Sequence, residues 1–468
     1  MTILEVNSLL WTPLFLVFYH AVLIVYRLYF HPLAKIPGPK LAAATTWHEF
    51  YYNVIGNGVF CWEIKRMHDK YGPIVRINPD EVHILDPNFY DEIYAPASKK
   101  YDKYADLVAL FAAPTGVFST CPHEHHRVRR RALNISFSKQ AIYQIEVLIQ
   151  SKVDLLCHRF DELAARGHVL RLDAAFFALA NDIITEYTFG EDHHCLDEDD
   201  FREGFKDTMM KAVETGSILR HFPWMWTLMD ALPQWLLARL SSMLAAVMNW
   251  ELLARRRLLA AIEAHRQGKQ GSENNVFSNL LSSDLPPQEK SFQRLLDEGK
   301  SLMGAGSETV AWALILMMWH LVRDEGDILS RLRAELRDMP RDNGSEVLLL
   351  KWLEKKPYLT PMSSTNYWIH MDETIFPSPT KFSPERWLGT GQTESFLQSL
   401  AMAELYLTAA AVVTRFDIEF VDTSAEDIEP ARERFIARPV LHSKGVFAKL
   451  QQVSKNEAAE GWGKMGRE

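Results

Sequence analysis

The densest run of chemically suggestive residues is Leu302-Met303-Gly304-Ala305-Gly306-Ser307-Glu308-Thr309-Val310-Ala311-Trp312. Apolar periodicity predicts that it lies inside a helix from about Phe292 to Arg323. Two glycines in a helix interior cost roughly 1 kcal/mol each relative to alanine, so something should approach the backbone closely there. In a helix the Thr309 hydroxyl can bond back to the Ala305 carbonyl and loosen the local turn. Glu308 adds a protonatable group to an otherwise apolar face. Spacing alone leaves two explanations open, a neighbouring helix packed against small residues or a ligand lying on them.

A second run, His123-Glu124-His125-His126-Arg127-Val128-Arg129-Arg130-Arg131-Ala132-Leu133-Asn134, reads as the basic start of a helix. His123 and His126 are three apart, but two histidines without further ligands are a weak metal signal, and on spacing alone a solvated charged face is the better explanation. The four cysteines, Cys61, Cys121, Cys157 and Cys195, are widely spaced and form no CxxC pair. That pattern argues against a disulfide framework or structural zinc and for a reducing compartment. No cysteine follows Cys195.

The elements that must position these residues can be read from pattern. The chain has 468 residues, 47% apolar and 24% charged, which suits one large mixed domain or two to three smaller ones. Its net charge of -9 gives no case for a nucleic-acid surface. Leu9 to Tyr26 is an almost uncharged apolar run, close to the length that spans a bilayer as a helix. No basic segment precedes it and no small-residue cleavage site follows it, so it reads as an uncleaved signal anchor. Arg27, His31, Lys35 and Lys40 follow the run and Glu5 precedes it, which puts the bulk of the chain on the cytosolic side. Pro32 to Pro39 holds three prolines in eight residues and is expected to be a stiff extended spacer.

Beyond it, Pro73–Ile77 and Val82–Leu85 predict a hairpin around the turn residues Asn78-Pro79-Asp80. From about Ser138 to Asp338 the spacing predicts long helices, including Ala141–Leu163, Ala174–Phe189 and Leu237–Gln267. Lys269–Pro287 reads as a polar loop. Strand-like pieces return near Thr365–His370 and Phe416–Val421, and the last dozen or so residues read as a frayed tail. No internal repeat is found. The fold class is mostly α with a minor β-sheet region (α+β).

Taken together, the motifs resemble those of the cytochrome P-450 family of heme-thiolate monooxygenases. Ala305, Gly306, Glu308 and Thr309 fill the [AG]-G-x-[DE]-T pattern of the family's oxygen-binding helix. The resemblance implies that Ala305 and Gly306 open the oxygen groove and that Glu308 and Thr309 relay protons. His126 and Arg130 fit the family's pattern for residues that bind a heme propionate, a role that suits guanidinium geometry. Phe382-Ser383-Pro384-Glu385-Arg386-Trp387 is similar to the F-x-P-E-R-[FW] motif, whose arginine pairs with a Glu-x-x-Arg helix. Tyr71-Gly72-Pro73, Phe222-Pro223-Trp224, Ala403-Glu404-Leu405-Tyr406-Leu407 and Arg438-Pro439-Val440 also agree with family text. The flavour is that of filamentous-fungal enzymes of secondary metabolism, including terpenoid oxygenases.

The resemblance implies heme as cofactor, an NADPH-dependent reductase as partner and a hydrophobic small molecule as substrate. It also implies a single-pass location in the endoplasmic reticulum membrane. The expected organisation is an anchor at 1–31, a hinge at 32–45, a cytochrome P-450-like domain at 46–450 and a polar tail at 451–468.

Two departures cut across this reading. Lys356-Pro357-Tyr358-Leu359-Thr360 resembles the start of the Glu-x-x-Arg helix, yet Pro361-Met362-Ser363 resembles a strand further on. The Glu-x-x-Arg element is missing, and the stray match Glu263/Arg266 stands in the wrong context. Between Leu388 and Ala401 the family carries F-x-x-G-x-R-x-C-x-G, whose cysteine thiolate ligates iron. Nothing here matches it, so the sequence names no metal ligand. Both junctions resume the family pattern cleanly, as two in-frame deletions would. The alternative expectation is a catalytically inactive, heme-deficient relative that serves at most as a binding or scaffold protein.

Overall fold

The computed structural model describes residues 3–93, 99–108, 113–240, 242–268, 275–323, 327–337, 349–354 and 398–453. The principal elements are α1 (Ile3–Tyr29), α2 (Phe60–Tyr71), β1 (Ile74–Asn78), β2 (Glu81–Ile84), α3 (His123–Phe137), α4 (Glu146–Ala165), β3 (Val169–Arg171) and α5 (Leu172–Phe189). They continue with α6 (Glu203–His221), α7 (Ser242–Arg266), α8 (Phe292–Arg323), α9 (Ile328–Glu335), α10 (Gln398–Arg415), β4 (Phe416–Phe420), β5 (Arg432–Arg434), β6 (Ile436–Arg438) and β7 (Phe447–Gln452). Among the described residues the architecture is helical with three small antiparallel sheets, β1-β2, β3-β7-β4 and β5-β6.

The core is organised around α5 and α8. Every residue of α5 except Glu186 is buried, and its buried Asn181 and Asp182 find partners in Ser307 and in the backbone of Cys195 and Leu196. It stops at Gly190, whose φ of 85° is the left-handed conformation that glycine adopts without steric cost. α8 lies against it over most of its length, with α4, α7 and α10 completing one continuous apolar cluster. The β3-β7-β4 sheet closes one end of this bundle in the register Leu170↔Ala448 and Ile418↔Leu450.

α1 stands apart, its apolar side chains from Trp11 to Tyr19 exposed. Its window Trp11–Tyr29 is long and apolar enough to cross a membrane and is 0% buried. α8 passes the same compositional test, but 61% of its window is buried, which makes it a core helix. The end of α1 is tied to the globular part, because Arg27 donates to Ala44 O at 3.1 Å and Arg76 donates to Arg27 O at 2.9 Å.

The hairpin at β1-β2, the helix at Phe292–Arg323 and the strand at Phe416 occur where the sequence pattern puts them. Several expectations need correction. The helix expected over Ala141–Leu163 is split at Ile145, and Ser138 caps the first piece by accepting from Ala141 N. The expected Leu237–Gln267 helix is a short helix, Gln234–Leu240, followed by α7. Inside the loop read at Lys269–Pro287 sits a helix, Val276–Ser282, because Asn275 accepts from Ser278 N at 2.8 Å and so supplies a start signal. The Pro32–Pro39 spacer turns rather than extends, with Ala34 N donating to His31 O and Ile36 N to Leu33 O. The strand expected at Thr365–His370 lies outside the described residues.

Candidate active site

α8 carries two faces that differ in kind. On the open face Ala305 and Thr309 are exposed, one helical turn apart. Thr309 Oγ1 donates to Ala305 O at 2.7 Å, the back-bond that a threonine in mid-helix favours. The stripe continues through the partly buried Trp312, Ala313 and Leu316. Gly306 faces α5 instead. A Cβ there would lie 2.7 Å from Ile184 Cγ1, so this glycine lets two helices touch. Gly304 has open space at the corresponding point, with nothing within 4 Å. Of the two explanations for paired glycines, close helix packing is therefore realised at Gly306.

The inner face is polar and crowded. Ser307 accepts from Asn181 Nδ2 at 3.0 Å and donates back to Met303 O at 2.8 Å, which joins α8 to α5 by a buried hydrogen bond. Glu308 is 1% exposed. Its Oε1 accepts from Arg438 Nη1 at 2.8 Å, and its Oε2 lies 3.8 Å from Lys206 Nζ. Lys206, on α6, also pairs with Asp173 at the start of α5. Asp173 in turn faces Arg171 at 3.2 Å and accepts from Val446 N at 2.9 Å. Burial works to raise the Asp173 pKa, but Lys206 and Arg171 outweigh it and hold the carboxyl below its ordinary range. Arg171 reaches Asp207 at 2.7 Å, and Arg438 lies 3.7 Å from Glu214, so the network leads from a buried centre toward solvent.

Glu308 and Thr309 are thus adjacent in sequence but serve different faces. Sequence reasoning missed Arg438, Lys206 and Asp173 as partners of the acid. The only signal was Arg438-Pro439-Val440, noted as family-like text without a role.

The basic ledge on α3 is a separate cluster. His126 and Arg130 are one turn apart and both partly buried. Burial, then the charges of Lys103, Arg130 and His123, push His126 down to about 4, so the ring is neutral near pH 7. Burial also lowers Arg130 and Lys103. Lys103 donates to Val117 O at 3.1 Å and to Phe118 O at 2.7 Å. The same loop is fastened to α8, since Val117 N donates to Glu298 at 3.2 Å and Thr115 Oγ1 to Asp297 at 2.7 Å. The ledge is therefore fixed relative to the first half of α8. Cations depressed by burial beside a neutral histidine form a place where an anion would be stabilised.

These features fit two of the demands of a heme and not the third. Cationic groups suited to propionates are present, and α8 has an open, small-residue face. A thiolate is not in place. Cys157 and Cys195 are buried, and burial pushes the Cys157 thiol up to about 12 and the Cys195 thiol upward as well. Cys61 sits on α2, and Cys121 precedes α3 with its Sγ 3.6 Å from Ser119 O. No cysteine follows Cys195 in the sequence. The residues present do not fit a thiolate-ligated iron. Glu263 and Arg266 form an exposed pair at 3.4 Å on α7, a solvated surface contact. Arg386 lies outside the described residues.

Known proteins resemble this chain in sequence and in fold. The family model for cytochrome P450 matches residues 45–363. Tryptophan 6-hydroxylase fscE of Fusarium equiseti is 36% identical, with 92% of this chain and 94% of the relative covered. Conidiogenone synthase PchP450 of Penicillium rubens is 35% identical over 92% of this chain and 96% of its own length. The cytochrome P450 monooxygenase TRI4 of Fusarium sporotrichioides is 33% identical, with 92% of each covered. The alignment with the first runs over 485 residues, more than the 468 of this chain, so that relative has stretches with no counterpart here. A crystal structure of a cytochrome P450 (CYP102L1) superposes with a TM-score of 0.63 at 17% identity, covering 84% of this chain and 97% of the other. On this fold and these matches, the chain belongs to the cytochrome P450 family.

Proposed function

We propose that the chain is built on a heme-dependent monooxygenase of fungal secondary metabolism that oxidises a hydrophobic small molecule, a terpenoid being one such class. The observation that carries this reading is the division of α8 into an open face at Ala305 and Thr309 and a buried acid, Glu308, directly behind it. In this reading bound heme would supply oxygen activation, with O2 as oxidant and electrons from an NADPH-dependent reductase. His126 and Arg130 would bind its propionates. Thr309 and Glu308 would serve proton delivery, with the Thr309 hydroxyl on the open face and Glu308 behind it. α1 would anchor the chain in the endoplasmic reticulum membrane, with the domain at 46–450 on the cytosolic face. No step is assigned through iron, because the residues present offer it no thiolate.

That same lack, together with the gapped alignment, favours a second reading. In it the chain as it stands is a heme-deficient, non-catalytic relative that binds a small apolar molecule or a partner protein. The two separate on one measurement. The full chain is expressed in membranes with heme precursor supplied, reduced, and exposed to carbon monoxide. A thiolate-type spectrum supports the monooxygenase, whereas a protease-resistant chain without that spectrum supports the second reading.

A further inference from the structure

Arg76 stands at the centre of β1, between Val75 and Ile77, which join Phe60, Ile64 and Met67 of α2 in a small apolar cluster. Alternation along a strand turns Arg76 the other way, toward the end of α1. Its side chain is only 1% exposed, and a buried guanidinium must place its donors. Among the described residues they all go to backbone carbonyls. Nε and Nη2 donate to Pro79 O at 3.1 and 2.6 Å, and Nη1 donates to Arg27 O at 2.9 Å. Arg27 lies in the last turn of α1, where carbonyls lack partners within the helix and the dipole favours a cation. Arg76 therefore caps α1 from 49 residues downstream.

The chain that leaves α1 is fastened to the same hairpin. His31 Nε2 meets Asp80 at 3.1 Å, and Arg76 N donates to Pro37 O at 2.8 Å. Gly38 lies so close that a Cβ there would come within 2.4 Å of Arg76 O. A stretch whose composition reads as a hinge is thus gripped along its length. We infer that Arg76 locks α1 to the β1-β2 hairpin, so that anchor and domain sit on a lipid bilayer as one rigid body. The apolar window Trp11–Tyr29 ends at this lock. Ala44 O accepts from Arg27 at 3.1 Å and is held at the level where the window ends. Leu41 and Trp47 flank Ala44 at 57% and 55% exposure, and Lys35 and Lys40 are exposed on the same stretch. Tryptophan and snorkelling lysines suit headgroup depth, so the partner of this surface is the bilayer interface. The surface rests on α1 crossing the membrane, as in the reading above, whereas the lock does not.

The test is pulsed electron resonance of the full chain in lipid nanodiscs, with spin labels at Val17→Cys on α1 and Lys70→Cys on α2. Both positions are exposed, and Cys61→Ser and Cys121→Ser remove the partly exposed native thiols. The parent should give one narrow distance peak. Arg76→Met should spread it over on the order of 15 Å, the reach of a freed linker of about ten residues. Arg76→Lys should spread it too, because an ammonium lacks the fork that bridges Pro79 O and Arg27 O. A broad peak in the parent would overturn the lock without any variant, as would unchanged width in a folded Arg76→Met chain. A fluorophore at Leu41→Cys should be quenched by lipids carrying a nitroxide on the headgroup, and less so in Arg76→Met. An unquenched parent that resists alkaline extraction would overturn the bilayer surface alone. Release by alkali would overturn the anchor as well, and the distance peak in detergent would still decide the lock.

Discussion

α8 and α10 each bury a glutamate completely, and the chain treats the two in opposite ways. Glu308 on α8 meets Arg438 at 2.8 Å and Lys206 at 3.8 Å. The same helix also pairs Arg294 with Glu298, and Lys300 with Asp297 at 3.1 Å. Glu404 on α10 is 1% exposed, and neither of its oxygens has a partner among the described residues. One turn later Thr408 is 0% exposed with its hydroxyl likewise unpartnered. Glu308 draws its partners from two other elements, Lys206 on α6 and Arg438 on β6. The contrast teaches that the buried carboxylate on α8 is met by cations gathered from before and after it in the chain, while that on α10 has no donor among the described residues.

The sharpest way to break this contrast is at Asp173, which holds Lys206, Arg171 and Val446 N together. Asp173→Ala should cost about 3–5 kcal/mol, because it strands a buried lysine. Chemical denaturation of the expressed chain measures this. A loss comparable to that of an exposed ion pair would show that the α8 network is solvated and that the two helices do not differ.

Glu404→Met should act the other way. Removing a buried acid without hydrogen bonds relieves a desolvation cost, and the variant should gain about 1–3 kcal/mol. The pH dependence separates the two sites further. Burial raises Glu404 well above its ordinary value of 4.5. A raised folded pKa contributes stability that is present below 4.5 and is lost as pH rises toward the folded value. Asp173 has a lowered pKa, so its contribution is present above its ordinary 3.8 and is lost as pH falls. Glu404→Gln should therefore flatten the decline in melting temperature on the neutral side and leave the acid limb unchanged. A variant that declines with pH as the parent does would remove Glu404 from the account.

How far these helices could be read from sequence depends on the interaction involved. The α8 boundaries follow from a 3.6-residue apolar period, and the Ala305–Thr309 bond follows from helix geometry alone. Both are local. Resemblance selected His126 and Arg130, which share a ledge because they are one turn apart on α3. The partners of Glu308 were not legible, since Lys206 and Arg438 are 102 residues before and 130 after it, and only the tertiary fold brings them together. The helix at Val276–Ser282 was missed because Gly, Ser and Asn dominate its flank, although Asn275 is a good N-cap. The break at Ile145 carries no glycine or proline, and sequence offered no signal for it.

Gly306 tests whether α8 is held by contact as well as by charge. Gly306→Ala would set a Cβ 2.7 Å from Ile184 Cγ1 and should cost about 1–2 kcal/mol through overpacking, despite the better helix propensity of alanine. Ile184→Ala in the same chain should recover part of that loss, since it vacates the contested volume. A double-mutant cycle measures the coupling. Additive effects would mean that the helices separate to admit the methyl group, and the packing explanation for this glycine would fail.

The smallest effect is expected at Thr309, the neighbour of Glu308 that faces the other way. Thr309→Val removes one hydrogen bond at an exposed position, whose net worth is about 0.5–1 kcal/mol, and valine is no worse a helix former than threonine. Melting should therefore shift little, in contrast with the loss at Asp173, because the open face of α8 does not hold the fold. The same variant does change what that face presents, a methyl in place of a hydroxyl beside Ala305. If Thr309→Val destabilised the chain as strongly as Asp173→Ala, the open face would have to be packed in solution. The division of α8 into a structural side and a free side would then be wrong.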